Sequence, residues 1–217
     1  MFFARYRINK MAMAGPSFSA KLLTAFTSAG LIGISTPIYS QAIGNGAMLQ
    51  VVGKPFNTID TGSTPGTGTG TGVGLTGIVG AVVASQIQTE IVSFTGLPPT
   101  PDMIKMTNAI GDALEQEVAL ATLVTTHSPV FVGTATIAPG SIAVVGASVG
   151  SAIETQGISS GFLGKDWPGF AQAIGNGIGD SFALANSVIT VIITSSTPPV
   201  VPLGPIPNTI VPAGVLT

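Results

Sequence analysis

The chain has 217 residues, enough for one large domain or several small units, and a net charge of −2. Charged residues are 7%, against roughly 25% in ordinary soluble domains, while mean hydropathy is +0.60; the excess comes from missing charge rather than from large apolar side chains. The absence of cysteine excludes disulfides and thiolate-bound zinc, and the lack of a basic field excludes a nucleic-acid surface.

From the start of the chain, Arg5, Arg7, Lys10 and Lys21 stand with no acid before Asp60. This basic arm, residues 1–17, followed by Leu22-Leu23-Thr24-Ala25-Phe26, has the outline of a signal peptide, but Gly15-Pro16-Ser17 and Lys21 interrupt the apolar run. Beyond it the chain repeats itself. Gln41-Ala42-Ile43-Gly44-Asn45-Gly46 recurs as Gln172-Ala173-Ile174-Gly175-Asn176-Gly177, and Asn108-Ala109-Ile110-Gly111-Asp112-Ala113 is a weaker third copy. A recurring step sets architecture before any local pattern does. It divides the chain into repeat 1 (18–77), repeat 2 (78–142) and repeat 3 (143–217), the last with a Pro-rich tail.

Each repeat reads as two helices and an extended part. The first helices are expected over 18–34, 78–94 and 143–162, with Val82, Val83, Ile87 and Ile91 giving the clearest stripe. The second start at Thr36-Pro37, Thr100-Pro101 and Asp166-Trp167-Pro168, where a cap residue precedes a proline tolerated in the first turn. They are expected over 37–52, 102–123 and 167–188. The mid-helix glycine of each Ala-Ile-Gly triplet predicts close helix–helix contact, not a phosphate cradle, because it does not follow a strand-to-helix turn. The extended parts are 56–75, with Thr-Gly alternation, then 130–140, then 189–194 with the tail. Proline confines such strands to edges, which invite pairing with another chain.

Chemistry-bearing residues are few. His127 is the single histidine and has no evident partner network for general-base work. Asp112, Glu115 and Glu117 lie on one expected helix, which does not converge oxygens on a hard cation, and they read as a solvated face; the alternative for Glu115 and Glu117 is pairing with a neighbour's basic arm. Trp167 and Phe170 read as core or interface anchors. The expectation is no catalytic residue, no metal, no cofactor, no small-molecule substrate, no nucleic acid and no membrane partner. Residues 22–53, 61–89, 118–153 and 181–217 carry no charge, and a monomer needs interspersed charge to stay dispersed. Interface positions are therefore placed at Arg5, Arg7 and Lys10, and at the uncharged Val130, Phe131, Val132, Ile192, Val200, Val201, Ile210 and Val211.

The expected fold is α+β: three tandem helix-helix-strand repeats packed into one compact pseudo-threefold body. An uncharged Ala/Gly/Thr-rich chain with glycine runs such as Thr67-Gly68-Thr69-Gly70-Thr71-Gly72 resembles virion structural proteins of tailed bacteriophages. That resemblance implies a capsid, neck, tail or baseplate component without enzymatic turnover, located in the virion and bound to copies of itself and to other structural proteins. The alternative is a subunit of an extracellular filament or surface layer, and a third reading is a membrane-inserting or pore-forming protein.

Overall fold

The structure, a computed structural model, describes residues 15–51, 56–62, 68–75, 77–127, 132–137, 142–162, 164–183, 187–192 and 203–210, with side-chain surroundings in 18–51, 77–122, 143–162 and 164–183. Six helices occur among them: α1 (Gly15–Ser28), α2 (Thr36–Val51), α3 (Gly80–Thr95), α4 (Pro101–Ala119), α5 (Gly146–Ser159) and α6 (Trp167–Ala183). Local chemistry accounts for their limits. The Thr100 hydroxyl accepts a hydrogen bond from the Met103 amide at 3.2 Å, Pro101 fills the first turn, and Asp102 complements the positive end of α4. The turns after α1, α3 and α5 each contain a left-handed glycine: Gly30, Gly96 and Gly161, with φ of 74°, 69° and 80°. Gly30 explains why α1 stops at Ser28 rather than continuing to residue 34. α4 and α6 also end earlier than expected, at Ala119 and Ala183.

Each helix packs on the next, and α6 packs on α1, so the six form a closed ring. Neighbours run antiparallel. Phe18, Leu22 and Phe26 of α1 meet Phe182, Gly177 and Phe170 of α6 in reverse order. All three short helix-to-helix turns, at residues 29–35, 96–100 and 160–162 with 164–166, consequently lie at one end of the ring. The core fills its interior with one apolar stripe per helix, including Leu22, Ile43, Ile87, Ile110, Ile153 and Ile174, all fully buried.

This arrangement corrects the α+β expectation of three helix-helix-strand units in one compact body. Where side-chain surroundings are described, 78% of residues are helical and no sheet is present. The described core comes from the six helices and the junction residues Ile78, Ala121 and Val144. The physical reason lies in the pattern: helical stripes of Ile, Leu and Val bury one another, whereas Thr-Gly alternation offers no large apolar face to join that core.

The connecting segments form backbone ladders: β1 (Phe56–Gly62), β2 (Gly68–Leu75), β3 (Thr122–His127), β4 (Val132–Ile137), β5 (Ile142–Ala143), β6 (Ser187–Ile192) and β7 (Leu203–Ile210). Their order is β6-β4-β3-β2-β1-β7, with β5 beside β3 and all pairs antiparallel. The outermost strands, β6 and β7, also approach each other.

Candidate interface

The ring is held at places where glycine lets two helix backbones approach. In α4 a Cβ on Gly111 would stand 2.9 Å from the Gly80 carbonyl carbon of α3; in α6 a Cβ on Gly175 would stand 2.5 Å from the Gly150 Cα of α5. Gly44 of α2 faces Ser19 of α1 in the same manner. The glycine of each repeated triplet thus joins the two helices of its pair. A second set of contacts joins one pair to the next. A Cβ on Gly46 would lie 2.6 Å from the Ile87 amide, and one on Gly177 would lie 2.9 Å from the Leu22 Cα.

The seam between α6 and α1 carries aromatic pairs as well. Phe26 stacks on Phe170 with centroids 5.2 Å apart and planes at 6°, and Phe18 meets Phe182 edge-on at 6.4 Å. Beside it, the Trp167 ring fills the space left by Gly157, packs on Phe162 at 4.6 Å, and donates its indole N–H to the Glu154 carbonyl at 3.2 Å. Trp167 is therefore a buried anchor of the α5–α6 pair. Between α2 and α3, the Asn45 amide donates to Glu90 at 2.9 Å.

The acidic group on α4 is spread in role. Glu115 accepts from the Gly80 amide at 2.5 Å. Val79, which precedes α3, has no side chain able to cap it, so a carboxylate from the neighbouring helix meets the positive helix end instead. Asp112 is exposed and Glu117 half-buried. His127 ends β3, opposite Gly68 and Ala135 in the ladders. Among the described residues no group of three or more His, Cys, Asp or Glu is placed to hold a metal ion. No described helix is long and apolar enough to cross a membrane.

Of the interface positions expected from sequence, Val132 and Ile192 are brought together: they are register partners in the β4–β6 ladder. Ile210 ends β7 opposite Phe56 of β1. Arg5, Arg7, Lys10, Val130, Phe131, Val200, Val201 and Val211 lie outside the described residues.

The structure adds a surface that the sequence reading missed. At the turn end of the ring, Ile34 is 98% exposed, Ile32 79% and Leu97 65%. The α1–α2 turn is internally braced. The Thr36 hydroxyl donates to the Leu31 carbonyl at 3.0 Å and accepts from the Gly33 amide at 2.9 Å, while the Leu31 amide bonds to the Phe26 carbonyl at 2.9 Å. In the next turn Pro98 and Pro99 have no amide to satisfy, and the Leu97 amide bonds to the Thr95 hydroxyl at 3.2 Å. These turns thus present aliphatic side chains on backbones whose polar groups are largely occupied. The available signal was the apolar run Leu31-Ile32-Gly33-Ile34 set between a glycine and a Ser-Thr-Pro helix start.

No family model, no curated protein and no solved structure matches the chain.

Proposed function

We propose that the chain is a non-enzymatic structural subunit of a large protein assembly, a component of a tailed-bacteriophage virion such as its capsid, neck, tail or baseplate. It acts by binding copies of itself and other structural proteins, without turnover. The observation that carries this reading is the turn end of the helical ring, where Ile34 stands almost free in solvent and Ile32 and Leu97 are exposed on braced turns. Exposed aliphatic side chains at the end of a body are a feature of association surfaces; Leu120 and Val145, at the opposite end of the helices, are exposed as well. The long uncharged stretches of the chain support it too, because they lack the charges that keep a monomer dispersed. Sedimentation of the purified protein over a concentration series, with electron microscopy of the same samples, tests it. Discrete particles, rings or tubes are expected, and Ile32→Asp with Ile34→Asp should reduce them while leaving helical circular dichroism intact. A protein that stays a dispersed monomer at every concentration, or that turns over a substrate, overturns the proposal.

A further inference from the structure

The three turns at the turn end differ in chemistry. The α1–α2 turn carries no charge and holds Ile32 and Ile34. The α3–α4 turn holds the exposed Leu97 and leads into Asp102 and Lys105, which pair at 3.7 Å. The α5–α6 turn ends on the exposed Lys165 and Asp166, and the space beside Gly161 and Gly164 is open. Two bases and two acids thus cancel at this end. Elsewhere on the six helices Lys21 is the single base against Glu90, Asp112, Glu115, Glu117, Glu154 and Asp180. Two copies meeting by their flanks set acid against acid; two meeting by their turn ends do not. Residues 1–14, 52–79, 120–145 and 184–217 all join the helices at the opposite end, so the exposed Leu120 and Val145 stand where the chain leaves the ring.

Helix polarity restricts how two such ends can meet. At the turn end α1, α3 and α5 finish while α2, α4 and α6 begin. A finishing helix carries a partial negative charge there and a beginning helix a partial positive one. A two-fold axis in the plane of contact that passes through a turn sets every finishing helix against a beginning helix of the other copy. An axis through a helix sets like ends on like ends. Of the three axes through a turn, one passes through the α1–α2 turn. It lays Ile32 and Ile34 on their own counterparts and places the α3–α4 turn against the α5–α6 turn of the other copy. The remaining two axes put Ile32 and Ile34 against a charged turn, which strips water from charges without giving them a partner.

We infer that a second copy of the chain docks on this one, turn end to turn end, about a two-fold axis through the α1–α2 turn. This rests on the reading of the protein as an assembly subunit and names the partner of its exposed tip. Ile32 and Ile34 meet the same residues of the second copy. Leu97 settles over Gly164 of the facing turn, Asp102 stands opposite Lys165, and Lys105 opposite Asp166. The area suffices. Packed helix axes are about 8–10 Å apart and each helix is about 10 Å thick, so a six-membered ring is about 26–30 Å across and its end covers roughly 500–700 Å². Two such ends together reach the roughly 1,000 Å² that a specific contact needs. The contact uses one surface on both copies, so it closes at a pair, and larger particles are completed by other surfaces of that pair.

The chain has no cysteine, so a single introduced thiol reports the contact. In the full chain Ile34→Cys, at a side chain 98% exposed, should form a covalent dimer on mild oxidation, which requires the two Cβ atoms within about 4 Å. Leu97→Cys alone should stay unlinked, but mixed with Gly164→Cys it should form the linked pair. Lys165→Glu should weaken self-association about tenfold at physiological salt, since the two-fold axis repeats each charge contact, and Asp102→Lys in the same chain should restore it. Association without Ile34→Cys dimers, or Leu97→Cys that links to itself as readily, overturns the inference while leaving the assembly reading intact. So does an Ile34→Cys thiol that stays free in the assembled protein but is shielded from a maleimide by phosphatidylcholine vesicles, which would assign the tip to lipid. A protein that never associates overturns both.

Discussion

Two seams of the ring hold adjacent helices by different means. α4 and α5 are joined through residues 120–145, whereas α6 and α1 meet at opposite ends of the described helical chain and close the ring by contact alone. The tethered seam has Ala113 where the others have Gly46 and Gly177, and it leaves a groove open to solvent. The untethered seam has a glycine contact plus two aromatic pairs. A contact between chain segments far apart in sequence must offset more closure entropy than one across a shorter link. Of these two seams, the one with the least backbone help carries the aromatic packing.

The largest effect should come from removing the centre of the closing seam. Phe26→Ala should cost about 3–5 kcal/mol in urea unfolding, since Phe26 is buried and loses both its volume and its stacked partner. A loss below about 1 kcal/mol would show that α6 and α1 do not close the ring in solution. Next in size, Gly177→Val should cost about 1–3 kcal/mol or more, because its Cβ meets the Leu22 backbone, which cannot swing aside as a side-chain tip can. A double-mutant cycle between Phe26→Leu and Phe170→Leu should then give a coupling of about 0.5–1.5 kcal/mol, the increment of an aromatic pair beyond its buried area. The smallest change belongs to the other seam. Ser151→Ala, in the groove, should alter stability by less than about 0.5 kcal/mol. A large loss there would mean that the groove wall is part of the ring's packing.

Much of the helical framework was readable. Thr100-Pro101-Asp102 marks a helix start by capping chemistry alone, and the repeated Ala-Ile-Gly triplet announces a backbone contact because little else justifies a glycine in mid-helix. The closure of α6 on α1 was not readable, because no local pattern in either helix names its distant neighbour. Membership of the core failed for a related reason. Thr-Gly alternation says that a segment is extended but not which body it joins, and the expected α+β body gave way to a helical one. The exposed tip was hidden by continuity. Leu31, Ile32 and Ile34 extend the apolar run of α1, and the left-handed Gly30 turns them out of the helix. Glu115 was read as a solvated acid, although the missing cap at Val79 called for an outside acceptor at the start of α3.

The strict alternation of direction around the ring has an electrostatic consequence. Every helix carries a macrodipole of about half an elementary charge at each end. Six helices pointing alternately up and down cancel in pairs, so the bundle has almost no net dipole along its axis. Two such bodies approaching through water exert little long-range torque on each other. Their relative orientation must be selected at contact distance, by groups that touch, and the few charges the chain retains gain weight from the quiet background against which they act.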